Sequence, residues 1–130
     1  MTVGYSAVNL ANKFLDMLSG TAFTAPAAAY LKLHTADPGS AGATAAAVGS
    51  ATRVVITLAA ASAGSKAMNG TLPVWTNGGT SEAISHMSWW DAVTAGNFML
   101  SFVLTASQAW VSTNTLTLTS LTTTITPIAA

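Results

Sequence analysis

The sequence has very few charged residues. Only 6% of its 130 residues are Asp, Glu, Lys or Arg, against about 25% in an ordinary soluble domain. The four basic residues balance the four acidic ones, so the formal net charge is zero. Binding to nucleic acid or to an anionic membrane surface needs clustered basic side chains. We therefore expect neither as a partner.

Cysteine and long hydrophobic runs are absent as well. Without cysteine the chain can form no disulfide framework, thiol nucleophile or zinc–thiolate centre. Polar residues and glycine interrupt every apolar stretch before it reaches about 18 residues, the length a membrane-spanning helix needs. The first five residues, Met1 to Tyr5, carry neither the basic nor the apolar region of a secretory signal. We therefore expect no secretion signal and no membrane span.

Small and apolar residues are abundant. Hydrophobic residues make up 51% of the chain and the mean hydropathy is +0.51, which excludes disorder through lack of apolar surface. The length suits one domain, predicted over 1–130. So little charge is typical of subunits that associate, and we expect a homo-oligomer, most simply a homotrimer. The alternative is a small neutral β domain that stays soluble by itself.

The first segment is predicted to form the one helix, over 6–19. Ser6 is suited to cap its first turn and Gly20 to end it. The apolar residues that trace one helical face are Val8, Leu10, Ala11, Phe14, Leu15 and Leu18. We expect this face to cover one end or edge of a sheet.

The remainder, over 28–126, alternates as β-strands do. The strands are predicted at 28–35, 53–58, 71–75, 84–90 and 97–105, with one or two more within 109–125. Residues 36–52 form a long loop of small residues, which we expect to be mobile or ordered by a partner. Residues 59–69 are predicted to be a connection. The fold class is mainly β: an antiparallel β-sandwich or barrel of about six or seven strands with one N-terminal α-helix.

Few residues are available for catalysis or metal binding. His34 and Asp37 could form an acid–base pair, but Asp37 lies in an Asp-Pro-Gly turn, where its carboxylate is expected to bond local backbone. We favour structural hydrogen bonds for His34 and His86. Two histidines and four scattered carboxylates show no metal-ligand spacing. We expect a non-enzymatic protein with no cofactor and no metal.

Tryptophan supplies the strongest candidates for partner contact. Trp89 and Trp90 are consecutive in a predicted strand, so their side chains point to opposite faces. Met87 and Trp89 share the better core face, although the sequence leaves open which tryptophan is the core residue. An outward Trp90 is either covered by a loop or the helix, or an anchor in a subunit contact. The candidate interface residues are Trp90, Trp75, Trp110, Tyr30 and Arg53. Trp75 and Trp110, near strand ends, are either lids on the core or interface residues.

Several stretches of the sequence, in collinear order, carry a family likeness. They are Tyr30–Gly39, Arg53–Ser62, Ile84–Ala92, Gly96–Asn97 and Leu104–Ser107. The most specific are Leu-His-Thr-Ala-Asp-Pro, at 33–38, and Trp-Asp-Ala, at 90–92. With the N-terminal helix, the chain resembles a family of small virion structural proteins of tailed phages, often labelled tail-fibre-like.

The resemblance implies one of two virion roles. A capsid decoration (minor capsid) protein binds the major capsid protein and cements capsomer junctions by burying apolar area. A tail-fibre or tail-associated module binds a host receptor or glycan, with Trp75, Trp90 or Trp110 stacking on sugars. Small size and the absence of repeats favour decoration. We expect synthesis in the bacterial host cytoplasm and a final place on the outer capsid surface of the virion.

Overall fold

The computed structural model describes residues 3–125 of the chain. The N-terminal helix begins after Ser6 with wide π turns, Ala7–Ala11, and continues as the α-helix α1, Asn12–Met17. Eight strands follow within the described residues. They are β1 (Ala29–His34), β2 (Val54–Leu58), β3 (Ser65–Asn69), β4 (Val74–Thr76), β5 (Glu82–Trp90), β6 (Phe98–Trp110), β7 (Thr115–Thr117) and β8 (Thr122–Thr124).

The strands form two antiparallel sheets. Six of them make one sheet in the order β6-β5-β1-β2-β3-β8, which curls into a half-barrel, and β4 pairs with β7 in a second, two-stranded sheet. The predicted fold class, mainly β with one N-terminal helix, is confirmed. The sheets hold one strand more than expected because β3 falls in the segment predicted to be a connection. Apart from Met68, its residues are small or polar and show no apolar alternation, and its backbone pairs with β2 and β8.

The main core lies on one face of the curled sheet. Leu31, Leu33, Ile84 and Met87 are completely buried there. The two-stranded sheet packs onto the same cluster through the indole of Trp75 and, less deeply, through β7. The alternation in β1 that predicted a half-buried strand therefore reflects real burial, because its core-facing residues meet β5 and the small sheet.

Asn77 holds the end of this core together. Its side-chain amide donates to the carbonyls of Thr80 and Trp110, at 2.7 and 2.9 Å, and its Oδ1 accepts from the N–H groups of Gly79 and Thr80. The Asn-Gly-Gly segment at 77–79 turns the chain after β4. Its wider role is a tertiary contact that the local sequence does not reveal.

The loop between β1 and β2 is fixed by hydrogen bonds within the chain. The Thr35 N–H donates to the Ala45 carbonyl at 2.9 Å, and the Ala47 N–H donates to the Leu33 carbonyl at 3.0 Å. The Glu82 carboxylate accepts from the Gly49 N–H at 2.7 Å. The expectation of a mobile or partner-ordered loop over 36–52 is therefore corrected: the sheet itself supplies the partners of this small-residue segment.

The helix differs from expectation in what it covers. The Ser6 hydroxyl accepts from the Asn9 N–H at 3.3 Å, which confirms the predicted cap, and the Asn9 side chain donates to the Phe98 carbonyl at 2.9 Å. Of the predicted apolar face, however, only Leu10 is buried. No helix in the described part of the chain is long and apolar enough to cross a membrane. The predicted end of the β region, at 126, lies outside the described residues.

Candidate partner-binding surfaces

The three tryptophans named as candidate interface residues lie inside the subunit. Trp75 and Trp110 each expose 2% of their surface and Trp90 exposes 8%. The indole N–H of Trp75 donates to the Thr52 carbonyl at 3.1 Å, and that of Trp110 to the Asn114 carbonyl at 3.0 Å. No open ring face is left for a sugar, so the expectation of sugar stacking on these residues is corrected. Their role in subunit contact stays a prediction.

Trp89 and Trp90 pack on opposite faces of the sheet. Trp89 is half-buried against the main core beside Met87, which confirms the predicted core face. Trp90 is buried on the other face, where its ring centroid lies 5.6 Å from that of Phe98. A register shift separates the two tryptophans in the pairing of β5 with β6. Each tryptophan is therefore a packing residue, one for each face.

Arg53 covers the Trp90 ring. Its guanidinium carbon lies 3.6 Å from the ring centroid, and Nη1 donates to the Ala92 carbonyl at 2.9 Å and to the Ala95 carbonyl. Tyr30 stands opposite Trp90 in the pairing of β1 with β5. The structure thus brings three of the five candidate interface residues together on one face. The other two, Trp75 and Trp110, belong to the main core.

A directed chain of hydrogen bonds links this cluster to the loop. His34 Nδ1 lies 2.8 Å from the Thr44 carbonyl, which can only accept, so Nδ1 carries the proton and Nε2 accepts. The Ser88 hydroxyl, 2.7 Å away, donates to Nε2 and in turn accepts from the Trp90 indole N–H at 2.8 Å. Burial lowers the pKa of His34 below its ordinary value, and the charges of Lys32 and His86 add to that shift against the hydrogen bond to Thr44.

This serine–histidine pair is completely enclosed. His34 and Ser88 expose none of their surface, so no substrate can reach the hydroxyl, and the pair ties the loop to the sheet. The expected structural role of His34 is confirmed by these partners. Asp37 accepts from the Gly39 N–H at 2.8 Å, as its turn predicted. Ser88 was missed by sequence reasoning, because nothing local marks it apart from its place on the same strand face as Trp90.

Asp91 closes the hairpin between β5 and β6. Its carboxylate oxygens accept from the backbone N–H of Asn97 at 2.6 Å and from the Asn97 side chain at 2.7 Å. Burial alone acts to raise the pKa of Asp91, but these hydrogen bonds outweigh it and hold the pKa below its ordinary value. Asp91 therefore shapes the turn in which it lies.

Most of the charged side chains make hydrogen bonds within their own subunit. Among the eight charged residues, five bond backbone groups of their own chain, and these are Asp37, Arg53, Lys66, Glu82 and Asp91. Within residues 3–125, no three His, Asp or Glu side chains come close enough to hold a metal ion. These five charged side chains are therefore engaged in contacts within the subunit.

Two concave surfaces border β6. A cleft of about 780 Å³ runs between β6 and the threonine-rich segment 115–122, with Met87, Phe102 and Leu104 in its lining. A second, mostly apolar cavity of about 370 Å³ lies under the N-terminal helix, where Phe14 and Trp89 contribute to its walls.

The N-terminal helix carries the densest group of exposed apolar side chains. Six of the fourteen large apolar residues that are exposed in the described part of the chain lie between positions 5 and 18. We call Val8, Ala11, Leu15 and Leu18 the helix stripe. Its three large members expose 73, 65 and 85% of their surface, respectively. Sequence reasoning identified these residues but assigned them to the inside of the subunit.

The comparisons with known proteins point to a phage. Residues 5–126 match the family model described as podophage GP4 fiber I protein gp80. No curated protein matches the chain. Because the match covers nearly all of the sequence, the chain belongs to this family, and as a member of a phage fibre family it is a virion-associated structural protein.

Proposed function

We propose, from this family membership, that the chain is a non-enzymatic subunit of the fibre apparatus of a tailed phage and works there as a homo-oligomer. The observation that carries the proposal is the family match over residues 5–126. The resemblance of the sequence to tail-fibre-like virion proteins points the same way.

The distribution of charge supports assembly through neutral surfaces. Arg53 and Glu82 are engaged with backbone groups of their own subunit, and the histidine that could act as a base is enclosed. Desolvating the remaining surface costs little, because few ionic groups must lose water. A surface of this kind suits permanent contact with identical subunits or other virion proteins, since charge-poor, apolar patches are typical of obligate interfaces.

Capsid decoration is the second candidate. It is favoured by the shape of the subunit, because residues 3–125 form a half-barrel with a short helix and contain no repeated, shaft-like element. In that role the partner is the major capsid protein and the subunit, as a trimer, cements capsomer junctions on the outer surface of the head. The family description supports the fibre role.

Locating the chain in purified particles separates the two roles. Virions are disrupted into heads and tails, and each fraction is probed by mass spectrometry and by cryo-microscopy of particles that carry an epitope-tagged copy. Signal confined to tails supports the fibre role. Signal confined to the capsid shell replaces it with decoration, and absence from both fractions overturns the virion function.

A further inference from the structure

We propose that Asn69 is a site of spontaneous covalent modification, where the side-chain amide cyclises onto the nitrogen of Gly70 and is hydrolysed to aspartate and isoaspartate. Asn-Gly pairs occur twice in the chain, at 69–70 and at 77–78. The fold exposes the first pair and holds the second in hydrogen bonds. The reaction needs no other virion component, so it goes beyond the proposed function.

The reaction requires only the two residues and water. The Gly70 nitrogen, after losing its proton to solvent, attacks Cγ of Asn69. The new N–Cγ bond closes a succinimide ring, and the Cγ–Nδ2 bond breaks so that ammonia leaves. Water then opens the ring at either carbonyl: attack at Cγ gives aspartate, and attack at the backbone carbonyl gives isoaspartate, in which the main chain runs through the former side chain.

Asn69 lies at the surface, at the end of β3. Its backbone pairs with Thr57 of β2, whose hydroxyl donates to the Asn69 carbonyl. The residue is exposed, and its side-chain amide makes no hydrogen bond within residues 3–125. The amide can therefore rotate toward the next peptide while the strand holds the backbone, and solvent reaches both the leaving ammonia and the ring.

Gly70 supplies an unhindered nitrogen. Its φ is +76°, in the region that favours glycine, and a Cβ placed on it would lie 2.6 Å from Thr57 Oγ1. The turn after β3 therefore requires glycine for reasons of packing and backbone conformation. The missing side chain leaves the nitrogen open to attack Asn69, and the Gly70 N–H has no backbone partner in the described part of the chain that must be lost first.

The second Asn-Gly pair is protected by its hydrogen bonds. Asn77 exposes 2% of its surface, and its side chain makes the four hydrogen bonds described above. The Gly78 N–H, the group that would have to attack, donates to the Gly49 carbonyl at 2.7 Å. Cyclisation would break these bonds and leave buried polar atoms without partners, which is costly. The same dipeptide is therefore reactive in one place and inert in the other.

The other asparagines precede residues that carry a side chain, which hinders the approach to the following nitrogen. These pairs are Asn9-Leu10, Asn12-Lys13, Asn97-Phe98 and Asn114-Thr115. The amides of Asn9 and Asn97 are also held, by the Phe98 carbonyl and the Asp91 carboxylate. Asn69 is therefore expected to be the first asparagine of the chain to react.

Either product adds one negative charge to a chain whose formal net charge is zero. The isoelectric point, 6.7 for the unmodified sequence, must therefore fall. Isoaspartate also lengthens the main chain between β3 and the turn that follows it. The modification thus changes the charge of the subunit and the local geometry at the end of β3.

Ageing of the folded protein tests the assignment. Wild type and Asn69→Gln, whose longer side chain cyclises far more slowly, are incubated at mildly alkaline pH, and peptide mapping with an isoaspartyl methyltransferase assay locates the products. Asn69 is expected to react more than about tenfold faster than Asn77, because breaking one buried hydrogen bond already raises a barrier by that factor. The acidic band that grows on isoelectric focusing of the wild type should be missing from Asn69→Gln. An unmodified Asn69, or equal rates at Asn69 and Asn77, overturns the inference.

A denatured sample separates the effect of the fold from that of the dipeptide. In concentrated urea Asn77 loses its hydrogen bonds, so the two Asn-Gly pairs are expected to react at similar rates. If Asn77 stays much slower than Asn69 in urea, local sequence protects it, and the contrast assigned to the fold is wrong. The location of the chain in virions, measured separately, tests the proposed function and does not affect this result.

Discussion

The main core and the N-terminal helix contain the same kinds of side chain in opposite surroundings. Leu31 and Leu33 of β1 are completely buried, whereas Leu15 and Leu18 of the helix are largely exposed. The difference lies in what stands opposite each element. β1 is flanked by β2 and β5 and faces the tryptophans of the main core, while the helix buries only Leu10 of its apolar residues. An apolar pattern therefore predicts that a face must be covered, not that its own subunit covers it.

The core and the helix should differ most in how much the free energy of unfolding falls when a large side chain is truncated. Trp110→Ala removes a buried indole and its hydrogen bond to Asn114, and we expect the free energy of unfolding to fall by about 3–5 kcal/mol, measured by urea denaturation. Leu18→Ala, the control on the helix, should change the unfolding free energy of the dilute monomer by less than about 0.5 kcal/mol. Equal losses would mean that the helix contributes to folding as the core does.

Glycine substitutions sharpen the comparison at the level of the backbone. A Cβ placed on Gly42, at φ +68°, would lie 2.3 Å from the Phe98 ring, so Gly42→Ala should destabilise the fold by about 1–3 kcal/mol. Gly20 after the helix has φ +88° and no atom within 4 Å of the added Cβ. Gly20→Ala should cost only the conformational strain, about 1 kcal/mol. Thermal unfolding of both variants provides the measurement, and a larger loss for Gly20→Ala contradicts the packing assigned to the loop.

Two cation–aromatic contacts can be compared, that of Arg53 with Trp90 and that of Lys13 with Phe23. Arg53→Met keeps an apolar cover on the ring but removes the cation and its hydrogen bonds to the hairpin, and we expect a loss of about 1–2 kcal/mol. Lys13→Met on the helix removes a looser contact, 5.7 Å from the Phe23 ring, and should cost less than about 0.5 kcal/mol. Chemical denaturation in dilute solution tests both, and the reverse order would contradict the structure.

The smallest expected effect is a pH dependence from His34. Its pKa is lowered in the folded state by burial, so the unfolded chain binds the proton more readily, and acidification favours unfolding. Stability from this group is complete above the unfolded pKa of about 6.5 and falls as the pH drops below it. Denaturation between pH 7.5 and 4.5 should show a smaller decrease in His34→Gln than in the wild type, while Ser88→Ala, which retains the histidine, should keep the slope. An unchanged slope in His34→Gln contradicts a buried, neutral imidazole.

Local patterns predicted most of the elements because those elements depend on local chemistry. The β-branched run before Leu58, the alternation around Leu31 and the hydroxyl of Ser6 as a helix cap were all confirmed. β3 escaped prediction because its residues other than Met68 are small or polar and show no apolar alternation, although its backbone pairs with β2 and β8 and Met68 packs against the core. The loop over 36–52 was expected to be mobile or ordered by a partner because its hydrogen-bond partners, such as Glu82, come from distant parts of the chain.

The candidate site was predicted less well than the fold. The sequence identified Arg53, Tyr30 and Trp90, and the structure places them together; Trp90, for which the sequence left open a covered or an outward position, is buried. The exposed apolar surface lies instead on the helix. The reason is that period-two spacing assigns residues to faces without indicating which loops and cations lie over each face.

By itself the sequence determined a charge-poor, mainly β protein with one capped amphipathic helix and a likeness to small phage virion proteins, since composition, spacing and motif are properties of the chain alone. Tertiary structure alone decided that all three candidate tryptophans are packed inside, that the long loop is pinned to the sheet and that the helix keeps an uncovered apolar stripe. Burial depends on contacts between segments that are distant in the sequence. The curl of the main sheet determines which apolar faces are covered inside the subunit and which stay exposed.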